Sequence, residues 1–580
     1  MKWDKLLGFV TVTSFAATMV MAGTSNMDFA KTYEKECQGC HGPIHQGGVG
    51  SDLRPAALKK KSREFLAETI LNGRENTAMP AWNHKFSKDD ATGMIDWLMD
   101  WKNTVELTLD LDEVQKTWTK LADVTKLAKK YPVNKDGKLV YKGAEVKNVK
   151  DITFATERDA SLVDFIDSTN GKVLSRHKAG FAVHVTVTNK NEPRYAYSIS
   201  RSGRLTMFDI GAPGQPAVAS VQVGQESRGL AVSPNGKYII AGNYNPGGAV
   251  LCDAHTLKPL KAYDTSRVID PDGQIGPSRV AGIADTPYGP YFAVALKDGG
   301  HTYIIDYSKE GFPIVGDIPN IGKILHDCFL NENKGEDFGR YFQIASQGSD
   351  LMGIVDFKTK SLAAKVYTGK KSKPHPGQGS SWFNKKMGKQ LNATNSMNFG
   401  SVVIWSSPGW KVVKKIKTSG GGLFVGTSEH TPWIWSDCVL AKPAKYNEVH
   451  LINKETLKTD RIIKVGKKKG QLIDAKTKKI LQEWDATQHQ KIAVNEKVFG
   501  KEKIMPIPNK VGPAVKNPVQ PRLLHAEPAN HGKWTMISEW TTGRIGIYDS
   551  KTGKFIKYIE NLTTPTFTYS IEHRQHIPGA

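Results

Sequence analysis

The stretch Leu162-Val163-Asp164-Phe165-Ile166-Asp167-Ser168-Thr169-Asn170-Gly171-Lys172 reads as an apolar strand that ends at an aspartate and turns through small polar residues into another strand. The same phrase returns around Asp209, at Val250-Leu251-Cys252-Asp253, Ile304-Ile305-Asp306 and Ile354-Val355-Asp356. It returns again at Val403-Ile404-Trp405, Leu451-Ile452-Asn453 and Ile547-Tyr548-Asp549. The first seven copies stand 42 to 53 residues apart, the length of one four-stranded propeller blade. The last interval of 96 residues holds a weak copy at Ile473-Asp474-Ala475-Lys476-Thr477. The pattern therefore predicts an all-β, eight-bladed propeller over 149–580 with an insertion around 465–520, nine segments with one degenerate being the rival count. Two β-sandwiches fit less well, because they do not impose a period near one blade length. Helix after residue 150 should be scarce, and Pro506 to Pro521 cannot be a central strand.

Upstream of the repeats the texture is helical. Asp28 to Glu36 and Ser62 to Asn72 read as helices, and Ser87-x-x-Asp90 is a capping box before Ala91 to Trp101, with Met94, Ile95, Leu98 and Trp101 on one face. Thr108 to Tyr131 reads as a connector with one amphipathic helix, and Pro132 to Asn148 as linker plus an outer strand. The expected divisions are a small all-α domain over 23–105, a connecting segment over 106–148, and the propeller. Residues 1–22 have the charged start, apolar run and small-residue end of a secretory signal peptide, with an uncleaved anchor as the alternative. Removal after Ala22 would leave about 558 residues, more than one core supports.

Glu36-Cys37-Gln38-Gly39-Cys40-His41 carries the C-x-x-C-H spacing of covalent haem attachment. Two thiols one helical turn apart reach two vinyl groups of one porphyrin, and His41 offers its imidazole to the iron. Structural zinc would need further ligands, for which only His45 and His84 are near, and a redox dithiol is the other alternative. Met79, before Pro80 in the loop between two helices, is the expected second iron ligand, with His84 its competitor. Cys252, Cys328 and Cys438 stand too far apart in sequence for a disulfide framework and read as buried small side chains. A formal charge of +23 from scattered lysines, without aromatic interleaving, points to acidic partners or an anionic cofactor and away from nucleic acid.

Three histidine segments stand out in the repeats: Gly180-Phe181-Ala182-Val183-His184, Leu325-His326-Asp327-Cys328 and Pro374-His375-Pro376-Gly377-Gln378-Gly379. With the C-x-x-C-H motif and the eight repeats they make the chain resemble the cytochrome cd1 nitrite reductases over nearly its whole length. That resemblance implies a class I cytochrome c domain with haem c on Cys37, Cys40, His41 and Met79, and one noncovalent haem d1 in the propeller. It implies His184 as the ligand to the d1 iron, and His326 and His375 as catalytic residues on the other face. Arg158, Arg176, Arg201, Arg228, Tyr244 and Gln378 then line the cofactor, guanidinium forks pairing with its carboxylates. Gln378 stands where the family has arginine, and the tail Glu572-His573-Arg574-Gln575-His576 has no counterpart in the family pattern. The resemblance further implies nitrite reduction to nitric oxide in the periplasm, by a homodimer fed by a small cytochrome c or cupredoxin. A haem d1 maturation dehydrogenase, acting on a dihydro precursor, is the alternative, and a non-enzymatic haem d1 carrier a further one.

Overall fold

The computed structural model describes residues 27–577 apart from 42–44, 46–49, 52, 59–60, 75–78, 101–107, 159, 334, 443, 466–469, 474–479, 485–521, 561 and 576. The expected signal peptide and the proline run from Pro506 to Pro521 lie outside the described residues.

Every strong copy of the repeated phrase is the third strand of a blade: Leu162–Asp167, Arg204–Asp209, Gly248–Asp253, His301–Asp306, Leu351–Asp356, Ser401–Ser407, Glu448–Asn453 and Arg544–Asp549. The terminal aspartate recurs because its carboxylate does the same work each time. Asp167 Oδ1 accepts from Thr169 N–H at 2.8 Å, and Asp253 Oδ1 from His255 and Thr256 N–H at 3.0 and 2.8 Å. Asp549 Oδ1 accepts from Thr552 N–H at 2.7 Å, and Asn453 supplies the equivalent amide oxygen to Glu455 N–H at 2.9 Å. This side-chain turn frees the strand end to reverse, and the chain leaves it through a left-handed residue such as Gly171 at φ 79°.

Among the described residues the blades are seven antiparallel four-stranded sheets and one of five strands, and Ile473 of the weak copy falls in a separate hairpin, Gly470–Ile473 with Ile480–Trp484. The count is therefore eight. Sheet 1 combines Ile152–Glu157, Leu162–Asp167 and Val173–Lys178 with a strand from the other end of the chain, Pro565–Ser570, in register from Thr153 opposite Ser570. A ring of eight needs such a closure, and here the C-terminal strand provides it. Apolar clusters fill the gaps between blades, one of them running through blades 1, 2 and 3, and the gap between blades 8 and 1 is filled by Ala155, Ile166, Met536, Ile545 and Ile547. Fully burying one such aliphatic side chain is worth about 1.5–3 kcal/mol. The closing joint is thus as dry as the others.

The extra outer strand is not within 132–148, as expected, but at Thr119–Lys120, which adds a fifth strand to blade 2 opposite Ala219 and Ser220. Residues 132–148 make only isolated bridges, Val133 with Leu139 and Lys138 with Asn148, because Asn134 and Gly137 fold the segment back too tightly for a strand. The connector carries two helices, Leu111–Lys116 and Val124–Lys130, each capped by an aspartate, where one was expected. Helix beyond residue 152 is limited, among the described residues, to Ile571–Gln575.

Residues 27–99 contain helices only, among those described. Ser62 and Ser87 cap Arg63–Asn72 and Lys88–Met99, the second with both bonds of the capping box. The second helix begins earlier than Ala91 and stops at Met99, and Met94, Ile95 and Leu98 pack with Tyr33, Leu58 and Leu66. Cys252, Cys328 and Cys438 are unpaired thiols.

Candidate functional site

Cys37 ends a one-turn π-helix, Tyr33–Cys37, and Cys40 and His41 lie on the next turn, Gln38–His41. Both thiols are unoxidised and half-buried, and burial pushes Cys37 up to about 11. His41 is buried, and its Nδ1 sits 2.7 Å from the Ser51 carbonyl, which can only accept. Nδ1 therefore carries the hydrogen and Nε2 the lone pair, the tautomer an iron requires. Met79 is half-buried in a loop folded back on the helix before it, with Arg74 N–H on its carbonyl at 3.2 Å and Trp82 N–H on Ile70 at 3.1 Å. Two reduced thiols on successive turns beside an oriented imidazole fit a covalently held haem.

The second constellation stands on the first strands of the blades, which contact one another around the central axis. Val183–Thr188, Glu226–Val232, Val280–Thr286, Leu325–Leu330, Pro374–Asn384 and Leu523–Ala529 belong to this ring. The histidines lie inside these strands rather than in loops, at places where pairing slips. Register shifts fall between Val183 and Val185, Leu325 and Cys328, His375 and Ser380, and Leu524 and Ala526. His184, His326 with Asp327, Gln378 and His525 are the residues left out of the ladder. A bulge turns a side chain off the pleat, which is how a sheet edge presents chemistry to its axis.

His326 and His375 lie with ring centroids 4.9 Å apart and share one carboxylate. His326 Nδ1 is 2.8 Å from Asp327 Oδ1, a short but poorly aligned contact, and His375 Nδ1 is 3.0 Å from Asp327 Oδ2 and 2.8 Å from the Leu423 carbonyl. Burial pulls both imidazoles below their usual range, with Arg228 adding to the effect against the opposing charge of Asp327. Burial works to raise the Asp327 carboxyl, but His375, His326 and Arg228 outweigh it and hold it well below the carboxylate range. Burial thus favours the neutral form of both rings, and the Arg228 guanidinium favours the anionic form of the carboxyl between them.

Arg228 joins this pair to a cationic pocket. Its Nη2 reaches Asp327 Oδ1 at 3.0 Å and its Nη1 the Tyr244 hydroxyl at 3.2 Å. Arg201 and Arg279 lie 4.7 and 5.3 Å from the centre of the Tyr244 ring and Lys297 5.6 Å from it. Burial pushes the phenol up, yet Arg228, Lys297, Arg201 and Arg279 bring it down to about 8. Burial likewise brings Lys297 down to about 8 and Arg201 to about 9. The imidazole of His184 is lowered by burial and by Arg228, Arg201 and Arg158. Glu226, Asp327 and Asp298 each pair one of these guanidiniums, yet with Arg158 and Lys297 the cations outnumber them; that surplus fits an anion with carboxylates, and a lone-pair imidazole among them fits its iron.

Of the residues expected here, Arg158, His184, Arg201, Arg228, Tyr244, His326 and His375 are brought together. Arg176 is not: it lies on the outermost strand of blade 1, its Nε 2.9 Å from the buried Asp164. Its guanidinium is committed there because an unpaired buried carboxylate is costly. Gln378 faces His525 and Glu527 instead of the cationic pocket. Sequence reasoning missed Arg279, Lys297 and the bridging role of Asp327. Ser227-Arg228 and Ser278-Arg279 each place Ser-Arg at the head of a first strand in successive blades, a repeat that could have found Arg279.

A family model described as the cytochrome D1 heme domain matches residues 147–574, more than half of the chain. The chain belongs to the cytochrome cd1 haem d1 family. Residues 25–98 match the cytochrome C oxidase, cbb3-type, subunit III model. The chain is 28% identical over 462 residues to a nitrite reductase of Stutzerimonas stutzeri, covering 73% of this chain and 76% of that one. It is 26% identical over 425 residues to a dihydro-heme d1 dehydrogenase of Pseudomonas aeruginosa, covering 73% and 80%. The solved structure of the dihydro-heme d1 dehydrogenase NirN in complex with DHE shares the fold at a TM-score of 0.67 and 21% identity, over 94% of this chain and 99% of that one. This cd1-family chain is an oxidoreductase whose cofactors are haem c and haem d1, and the two donor sets above fit them. No helix among its described residues is long and apolar enough to cross a membrane.

Proposed function

We propose that the chain oxidises a dihydro precursor of haem d1, delivering its electrons one at a time to haem c. The observation that carries this reading is the pair His326 and His375, both lowered in pKa and sharing Asp327. Loss of two hydrogens from a dihydro compound releases two protons and two electrons. Two neutral imidazoles can take the protons, and Asp327, held ionised, stabilises each ring as it becomes charged. His184 holds the iron of the substrate, and Arg158, Arg201, Arg228, Arg279 and Lys297 hold its carboxylates, leaving the reacting edge to the distal pair. Haem c, on Cys37, Cys40, His41 and Met79 in what we take to be a class I cytochrome c domain, supplies the one-electron acceptor. Two turnovers of that centre complete one oxidation, with a small acidic periplasmic cytochrome c or cupredoxin carrying each electron away.

Nitrite reduction to nitric oxide is the second reading. It is favoured by the retention of two imidazoles on one carboxylate and by the relative named a nitrite reductase. It needs those rings protonated at the start, because removal of one nitrite oxygen as water consumes two protons. The deciding experiment supplies the haem c-loaded protein anaerobically with dihydro-haem d1 and an oxidised cytochrome, and separately supplies the d1-loaded protein with reduced cytochrome and nitrite. Formation of the d1 spectrum in step with cytochrome reduction is expected. Nitric oxide in the second reaction, with none of the first, would replace the oxidative reading with the reductive one.

A further inference from the structure

Two features that the family pattern does not explain, Gln378 and the C-terminal tail, meet in one buried chain of hydrogen bonds. Thr568 N–H points at His525 Nδ1 from 3.2 Å. A backbone N–H only donates, so Nδ1 holds the lone pair and Nε2 the hydrogen, which is donated to Gln378 Oε1 at 2.9 Å. That fixes the amide: its Nε2 turns to Glu527 Oε2 at 3.3 Å. Glu527 in turn accepts from Ser570 N–H at 3.0 Å and from both forks of Arg574, Nε at 2.8 Å and Nη2 at 2.5 Å. His525, Glu527 and Arg574 are all buried.

Gln378 lies three residues beyond His375 on one strand, and between His375 and Ser380 that strand makes no ladder pairs with its neighbour. The segment also passes through Gly377 and Gly379, both left-handed at φ 62° and 67°. Sheet pairing therefore does not fix where this loop of strand sits, and side-chain anchors must. His375 is one, through Leu423 and Asp327, and Gln378 is the other. Phe424 fills the space between the two anchors, its ring 6.3 Å from His375 and 4.9 Å from His525.

We propose that Arg574, from the short helix Ile571–Gln575, acts through Glu527 and Gln378 as a positioning residue for His375, so that the C-terminal segment is a working part of the distal site. This deepens the proposed function in that it supposes His375 takes part in the reaction, but the positioning itself is a property of the protein without any haem d1. Replacing Arg574 by alanine leaves Glu527 buried without its partner and risks the fold. The cleaner variant is Gln378→Met, which keeps volume and the Glu527–Arg574 pair while removing both amide bonds.

Two measurements are made on the full chain. Imidazole 15N shifts of His375, recorded with haem c in place and haem d1 absent, report whether its Nδ1–H tautomer stays fixed; Gln378→Met should move them toward a mixture of tautomers. With dihydro-haem d1 as substrate, kcat should fall roughly ten- to a hundredfold, the cost of a misplaced catalytic group, while KM changes less than about twofold. Arg574→Lys, which keeps the charge on Glu527, should return kcat to within about threefold of wild type. Unchanged His375 shifts in a folded Gln378→Met protein would overturn the proposal. A wild-type protein that does not turn over dihydro-haem d1 would sink the proposed reaction and leave the shift measurement to judge the positioning alone.

Discussion

The third strands and the first strands of the blades are built to opposite rules. Each third strand pairs on both edges, apart from a slip near its outer end, and closes with a carboxylate or amide that makes the turn. The first strands ring the axis, pair on one edge, and slip register at His184, at His326 and Asp327, at Gln378 and at His525. Regularity makes the scaffold and irregularity makes the site, because a residue at or beside a break in the ladder can be aimed at a ligand on the axis.

The sharpest way to break this comparison is to remove a side chain at or beside a slip in the ladder. His375→Ala or His326→Ala should cut turnover by roughly 10² to 10⁴ while the haem d1 spectrum and the melting temperature stay near wild type. A mutant equally slow but stripped of haem d1 would mean that these rings hold the macrocycle. Next in size is Arg228→Ala, which removes a charged bond to Asp327 and a cation from the carboxylate pocket. Haem d1 affinity measured by titration should fall about ten- to a hundredfold.

The pH dependence separates acceptance from donation of protons. If His326 and His375 must start neutral, oxidation should rise with pH and reach its plateau below pH 6.5, since burial and Arg228 pull both rings under that ordinary value. A rate that instead falls as pH rises through the same range would mark the rings as donors. Stability has its own acid limb. Burial brings His177 down to about 4 and His525 to about 3, so both stay neutral in the fold after the unfolded chain has taken its proton. Their contribution is whole above about pH 6.5 and is lost progressively below it, which differential scanning calorimetry from pH 7 to 4 should show as a falling melting temperature. The smallest effect belongs to the other class of strand: Asp167→Ala removes turn hydrogen bonds and should cost about 1 kcal/mol in denaturant unfolding with turnover unchanged.

The same contrast explains what could be read from the chain. The aspartate turn is a local code, so Asp167, Asp209, Asp253, Asp306, Asp356 and Asp549 announce six of the eight third strands without knowledge of any contact. C-x-x-C-H is local too, as are the serine caps at Ser62 and Ser87. The site is not local. His184, His326 and His375 come from blades 2, 5 and 6 and were legible only through a family likeness, and Arg176 was drawn in by type although Asp164 claims it. Arg574 and Glu527 lie on the C-terminal helix and blade 8, and nothing in their neighbours along the chain shows that they meet near Gln378.

Ring closure by Pro565–Ser570 also fixes an order of events in the life of the chain. Until Pro565–Ser570 is in place, one edge of Ile152–Glu157 is bare and blade 8 seals only against blade 7, a state open to pairing with other chains. The closed axis, and with it a place for a macrocycle, exists only once Pro565–Ser570 has paired with Ile152–Glu157. Loading of the propeller must therefore come last, whereas Cys37 and Cys40 lie in the first tenth of the sequence and do not wait for the ring.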